Sequence, residues 1–312
     1  MLDPRRLRLL RDVARTGSIA GAAQRAGCTA AAASQQLAAL ERHTGVPLLE
    51  RGARSVRLTE AGRVLAERAD RVLAELDGAE QALLSVAGLR GGRLRVAAFG
   101  TAAGFTVPAL AAFRRRHPDV ELTFLELEPD EAVPAVRAGD VDLAVTHQYA
   151  QLPKPDLRGL RQTALRSERL LLAVPPSLRP GSGGAVRLRD YADADWISPR
   201  PATGFQALVE LTCRAAGFEP AVRFRTDSYE VMLRLVAADF GVALVPELAA
   251  DGGHLHAGVT FRAVARPAPL AREVHATTRA ADSSPAVELL LALLVERVSG
   301  RGGSARPRRR RG

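Results

Sequence analysis

Between Ser18 and Gly62 the chain places two short helical segments on either side of a tight turn and follows them with a basic hairpin, an order that few folds accommodate. Ser18 can cap a helix whose buried stripe is Ile19, Ala22, Ala23 and Ala26, small residues that let a second helix approach closely. Gly27 makes the turn. Thr29 can cap the next helix, expected from about Ala30 to His43 and ended by Gly45. The apolar face of that helix is Ala33, Leu37 and Leu40, and its other face presents Ser34, Gln35, Ala38 and Arg42. Upstream, Asp3 and Pro4 can open a first helix along Leu7, Leu10 and Val13, which Gly17 can end. From Pro47 to Thr59, Arg51, Arg54 and Arg57 surround Gly52, while Val56 and Leu58 alternate as in a strand. Guanidiniums on such a hairpin can pair with phosphates or enter a narrow minor groove. Helix, turn, helix and basic wing together describe a winged helix-turn-helix, whose second helix is shaped for the major groove of DNA.

Charge is distributed to match. Residues 1–62 hold ten arginines against five acids, a net charge of +5, and residues 301–312 hold six arginines and no acid. The whole chain carries +10, so residues 63–300 sum to −1 and the basic character belongs to the two ends. A basic end attracts polyanions at long range, an attraction that fades with salt. The tail, residues 301–312, reads as a disordered segment that adds nonspecific DNA affinity or is neutral. Only Lys154 stands against 43 arginines, which reads as a GC-rich coding sequence and not as a functional choice.

A long helix is expected from Thr59 to about Leu89, with Thr59 as its cap. Leu65, Ala69, Val72, Leu76, Ala79, Leu83 and Val86 recur in steps of four and three, the spacing of a coiled-coil seam. Such a seam on a connecting helix calls for a second copy of the chain, so Leu65, Val72, Leu76 and Leu83 are dimerisation candidates. Arg90-Gly91-Gly92 then marks a hinge.

Here the chain resembles a known family, the LysR-type transcriptional regulators. The resemblance is carried by Ala22-Ala23, Ser34-Gln35-Gln36, Leu40-Glu41, Gly45, Leu48-Leu49-Glu50-Arg51 and Leu58-Thr59-Glu60-Ala61-Gly62. It extends, more weakly, to about Ser299. Where the family usually has Gln-Pro, this chain has Ala30-Ala31, which moves the expected base contacts to Ser34 and Gln35. Thr29, Ser34, Gln35, Arg51, Arg54 and Arg57 are the DNA-binding candidates. The resemblance implies that the long helix pairs two subunits, so that two reading heads meet a site of approximate dyad symmetry. A homodimer or homotetramer is expected, with RNA polymerase as a candidate partner.

From Arg93 the pattern alternates strands with helices, the pattern of a largely parallel sheet covered by helices. Strands are expected at residues 94–98, 121–126, 143–145, 169–174, 196–197, 221–224, 242–245 and 273–278, and helices at 107–117, 130–138, 205–216, 229–238 and 285–298. The order resembles the family's effector domain, similar to type II periplasmic binding proteins, in which two lobes flank a cleft. The expected fold is therefore α/β. It comprises a DNA-binding domain (1–62), a linker and dimerisation helix (63–90), an effector-binding domain (91–300) and the tail (301–312). Lobe one takes residues 91–163 and 268–300, and lobe two takes 164–267. Strand ends and helix N-termini converge on such a cleft and offer free N–H groups. Thr101, Glu128, Thr146, Ser198 and Thr203 are the effector-binding candidates, suited to a small molecule with an anion among the possibilities. Each hydroxyl could instead merely cap its helix.

Other classes lack support. No run of about eighteen apolar residues is present, so no membrane span is expected. The charged start does not read as a secretory signal. Cys28 and Cys213 fall in different expected domains, which excludes a disulfide framework and suits a reducing cytoplasm, at the nucleoid for a DNA binder. None of the six histidines sits in a metal spacing, and no GxSxG elbow, phosphate loop or GxGxxG after a strand occurs. Neither catalysis, a metal nor a cofactor is expected. The alternative is a ligand-independent architectural DNA-binding protein.

Overall fold

A computed structural model describes residues 1–51, 56–86, 92–178, 184–201, 203–251, 258–265, 270–281 and 284–301. The N-terminal unit is built from α1 (Pro4–Thr16), α2 (Ile19–Arg25), α3 (Ala30–Thr44) and the antiparallel strands β1 (Leu49–Arg51) and β2 (Val56–Leu58). Each helix starts on the expected cap. Asp3 accepts from the Arg5 N–H (2.8 Å), Ser18 from Gly21 (3.0 Å) and Thr29 from Ala32 (3.2 Å). Gly17 and Gly45, at φ 66° and 72°, end α1 and α3 in the left-handed region. Leu10, Val13, Ala22, Ala33, Leu37, Leu40 and Leu48 make the core.

The residues that carry the family resemblance have physical tasks here. The Glu41 carboxylate accepts from the backbone N–H groups of Leu48 (2.8 Å) and Leu49 (3.0 Å), tying α3 to the wing. Thr59 donates its hydroxyl to the Pro47 carbonyl (2.8 Å) and caps α4 (Glu60–Val86) by accepting from Gly62 (3.0 Å). A Cβ on Gly62 would collide with the Leu48 carbonyl oxygen, so only glycine lets the helix and the wing approach this closely.

The expected seam on α4 is divided. Ala69 is buried against Leu7 of α1 together with Leu73, and Leu65 also packs within its own domain. Val72, Leu76 and Leu83 remain 45%, 43% and 74% exposed. Leu65 therefore belongs to the fold of the N-terminal unit, because α1 covers the first turns of α4, while Val72, Leu76 and Leu83 stay open.

The larger unit begins with β3 (Arg93–Ala98), α5 (Ala103–Arg116), β4 (Glu121–Glu126), α6 (Pro129–Arg137), β5 (Leu143–Tyr149) and β6 (Leu160–Val174). It continues with β7 (Asp195–Ser198), α7 (Gly204–Ala215), β8 (Ala221–Arg225), α8 (Tyr229–Ala237), β9 (Ala243–Pro246) and α9 (Glu247–Ala250). It ends with β10 (Thr260–Ala263), β11 (Ala271–Arg279) and α10 (Pro285–Arg301). One sheet runs in the order β10-β6-β11-β5-β3-β4, with β9 also on β6. Among the described residues, β3 with its two neighbours and β7 with β8 pair in parallel, with single parallel bridges at Trp196–Val242 and Val186–Val264; β6 and β11 pair antiparallel with β5, β9, β10 and each other. The sheet is thus mixed, not largely parallel, because two long strands were not legible at full length.

Those strands join the lobes. Residues 160–169 of β6 pair with β11, and residues 170–174 pair with β9 and β10. In lobe one, α5 and α10 cover one sheet face around Phe105, Phe113, Val145 and Leu290, and α6 covers the other around Ala97, Val136 and Ala144. In lobe two, α7 packs with Trp196, Leu208 and Leu244, and α8 packs with Ile197, Met232 and Val245. Asp239 has φ 62°, a left-handed conformation natural to glycine, and accepts the Ser177 N–H (3.0 Å).

Candidate functional site

Two surfaces bring the sequence candidates together. On the N-terminal unit, α3 exposes Gln35, Gln36 and Arg42, with Ser34 half-buried on the same face. Thr29, at its start, is exposed and spends its hydroxyl oxygen on the helix cap. Arg6 of α1 donates through Nε to Gln36 Oε1 (2.9 Å), which fixes one amide beside the exposed face. Arg57 is exposed on β2. Arg54 lies outside the described residues, as does the side chain of Arg51, although the Arg51 backbone pairs with Val56. The hinge at Arg90 and Gly91 and the tail beyond residue 301 also lie outside them.

The second surface is the cleft region where β3, β4 and β5 end and the chain crosses between lobes. At its floor, Arg272 of β11 and Glu168 of β6 are cross-strand partners, with side chains 1% and 0% exposed. Arg272 Nε donates to Glu168 Oε1 (2.5 Å), and Nη2 donates to Thr101 Oγ1 (2.6 Å). The guanidinium lies 4.7 Å from the centroid of Phe99. The other carboxylate oxygen of Glu168 accepts the Leu248 N–H (2.8 Å). Both charges are thus matched and hydrogen-bonded, as burial requires.

Aromatic rings form a chain from this floor into lobe two. Phe99 meets His147 at 4.6 Å, His147 meets Tyr149 at 5.2 Å, Tyr149 meets Phe205 at 5.7 Å, and Phe205 meets Tyr229 at 5.9 Å, each between centroids. Phe99 and His147 belong to lobe one, Phe205 and Tyr229 to lobe two. Burial pushes the Tyr149 hydroxyl up to about 12, against the lowering influence of Arg272. Burial likewise raises Tyr229 well above the usual tyrosine range. Burial lowers His147, so its ring is neutral at pH 7 despite Glu128, whose Oε2 lies 3.4 Å from His147 Nε2. The Tyr149 hydroxyl, His147 Nδ1 and Ser198 Oγ are buried without a hydrogen-bond partner. Most buried polar groups have one, so each of these three atoms carries unmet hydrogen-bonding capacity.

The predicted effector residues divide accordingly. Thr101, Glu128 and Ser198 stand at strand ends with hydrogen-bonding capacity. Thr146 is buried and shares a hydrogen bond with Thr277 (2.8 Å) across the sheet, and Thr203 caps α7 through the Gln206 N–H (3.2 Å). Arg272, Glu168, Tyr149, Phe205 and Tyr229 were not among the candidates. Their signal was weak: a charged residue opposite another on a buried stretch is visible only once the strands are paired. Among the described residues no cluster could hold a metal ion, and no helix is long and apolar enough to cross a membrane. A cavity of about 280 Å³ beside α7 is lined by Gln151, Leu188, Leu211, Thr212 and Leu270.

Residues 4–63 match the model of the bacterial regulatory helix-turn-helix protein, lysR family, and residues 87–299 match the LysR substrate binding domain. The chain is 35% identical over 250 residues to the HTH-type transcriptional regulator TfdS of Cupriavidus pinatubonensis, covering 78% of this chain and 82% of that protein. It is 30% identical to the regulator CbbR of Xanthobacter flavus over 244 residues, 77% of this chain and 72% of that one. Among solved structures, a full-length OxyR variant from Pseudomonas aeruginosa superposes with a TM-score of 0.70 at 21% identity, covering 94% of this chain and 95% of that one. CbnR in complex with its target DNA superposes at 0.52 with 26% identity, covering 95% of this chain and 100% of that one. With a helix-turn-helix domain matched at one end and a LysR substrate binding domain matched over most of the rest, the chain belongs to the LysR family of transcriptional regulators.

Proposed function

We propose that this protein is a sequence-specific DNA-binding regulator of the cytoplasm, present at the nucleoid, whose activity is set by a small molecule bound in the cleft between its lobes. The observation that carries the cleft reading is the group of partnerless buried polar atoms on Tyr149, His147 and Ser198. Arg272 is already matched by Glu168, so the ligand gains from neutral donors more than from free positive charge. A planar, acceptor-bearing molecule fits this chemistry, its carboxylate or carbonyl oxygens taking the Tyr149 and Ser198 hydroxyls and its face stacking on the rings. Ligand binding favours one subunit arrangement over another, by an amount set by its differential affinity for the two.

On the DNA side, Ser34 and Gln35 read base edges while Arg51, Arg54 and Arg57 hold phosphates or the minor groove. Val72, Leu76 and Leu83 pair α4 with a second copy, giving two reading heads. The bound state of CbnR with its target DNA supports the same use of this fold. The test is a footprint on the DNA upstream of the encoding gene at two salt concentrations, with Arg57→Ala as control. A roughly dyad-symmetric protected site that survives the higher salt is the expected result. Featureless protection that vanishes with salt would favour ligand-independent architectural binding instead.

A further inference from the structure

Arg15 lies in the last turn of α1, and its guanidinium stands between two carboxylates of different parts of the chain. Nη2 is 3.1 Å from Asp70 Oδ1 on α4. Nη1 donates to Asp140 Oδ2, in the turn that leads from α6 into β5. One turn earlier on α1, Arg11 reaches the Ala138 carbonyl at 3.5 Å. Between these two contacts Gly139, at φ +73°, lets the turn lie against Ala74 of α4, whose Cβ a side chain at 139 would meet at 3.4 Å. Winged-helix unit, linker helix and lobe one thus touch at one place, and Arg15 is the cation at its centre. Without it, Asp70 and Asp140 would face each other with like charge.

The turn is itself rigidly held. Asp142 accepts from the Arg95 backbone N–H (2.9 Å) and from Arg95 Nη2 (2.8 Å), and Arg279 Nη2 donates to it from β11 (3.1 Å). Arg279 Nη1 donates to the Val141 carbonyl (3.0 Å). The next residue begins β5, and β5 ends at Tyr149, having passed His147. Seven residues of strand, roughly 20 Å at about 3.3 Å each, separate the Arg15 contact from the ring chain of the cleft.

We infer that Arg15 is a positioning residue for the reading head: it fastens α1 to the foot of β5, so that the angle at which α3 meets DNA is linked to the cleft through a single strand. The inference rests on the reading of the cleft as the effector site, but the contact can be tested without any ligand. Cys28 is exposed and takes a spin label, Arg115→Cys on α5 takes a second, and Cys213 is buried with its thiol pushed up to about 12. The full-length protein is labelled in one chain per dimer by dilution with unlabelled subunits, and the 28–115 distance is measured by pulsed EPR.

One narrow distance is expected for the parent and for Arg15→Lys, a broad one for Arg15→Gln and Arg15→Glu, and a narrow one again for Arg15→Glu combined with Asp140→Arg. The boundaries of the two protected half-sites should shift in the broad variants and return in the charge swap, while a residue with a merely structural role would lower affinity without moving them. A distance indifferent to residue 15, a swap that fails to restore it, or footprints identical in docked and undocked forms would each overturn the inference. Such a failure leaves the cleft reading intact, and a cleft that binds no small molecule leaves the distances unchanged, so the two failures are distinguishable.

Discussion

Arg272 and Glu168 face each other across neighbouring strands where the chain passes between the lobes, and neither side chain reaches solvent. Each charge depends on the other, because neither finds water. Removing one partner of a buried pair costs roughly 3–5 kcal/mol, whereas replacing both with apolar residues of similar volume is often neutral. Glu168→Leu alone is therefore expected to lose several kcal/mol in urea unfolding, and Glu168→Leu with Arg272→Met to recover most of it. Additive losses would mean that the two residues do not act as a pair.

The three tyrosines are all held above the usual tyrosine range, first by burial: Tyr149 at about 12, with Tyr191 and Tyr229 also raised. The folded protein then keeps its hydroxyls protonated at a pH where the unfolded chain, with an ordinary value near 10, ionises. Stability from Tyr149 is fully present below pH 10 and is lost as pH rises from there toward 12. Absorbance at 295 nm should show little tyrosinate at pH 10.5 in the native protein and much of it in urea. Tyr149→Phe should reduce the alkaline loss of stability.

Asp142 titrates low. Burial, the largest influence, works against its charge, but the hydrogen bonds and charge of Arg95 together with Arg279 outweigh it. A depressed carboxyl contributes stability that is complete above its unfolded value, about 3.9, and disappears as pH falls through the folded value. Asp142→Asn is expected to lower the melting temperature at neutral pH and to flatten its fall below pH 4. An unchanged acid limb would remove Asp142 from the acid response.

On DNA, Gln35→Ala and Arg57→Ala should behave differently. Loss of a base contact costs about 1–3 kcal/mol and relaxes preference at one position. Loss of a phosphate contact weakens all sequences alike and reduces the salt slope by about one. Binding titrations at several salt concentrations, on a specific and a scrambled duplex, separate the two. The same slope with and without Arg57 would take that residue off the phosphate backbone.

What the sequence made legible was local. Asp3, Ser18 and Thr29 cap the helices expected of them, and the glycines at 17 and 45 end two of them, because caps depend on a few adjacent residues. The strand β6 was seen only over its apolar end, since residues 160–168 alternate charge with partial burial and lack a continuous apolar signature. Arg272 escaped notice for a related reason: what makes it a site residue is Glu168, 104 positions away. Thr203 makes the local cap that was the alternative for each hydroxyl, whereas the bond of Thr146 to Thr277 depends on a strand pairing that spacing does not encode. The stripe on α4 has the right period, yet period alone cannot say that α1 takes its first turns.

One strand shared by both lobes has a mechanical consequence. Since β6 runs unbroken from lobe one into lobe two, its path between the lobes contains no loop that could swing freely. Any closing of the cleft has to twist a ribbon of hydrogen-bonded backbone, whose ladder with β11 is interrupted by a register shift between Val274 and His275. Such a ribbon behaves as a torsion spring: it permits small rotations, returns from them, and carries torque toward whatever is clamped to either end.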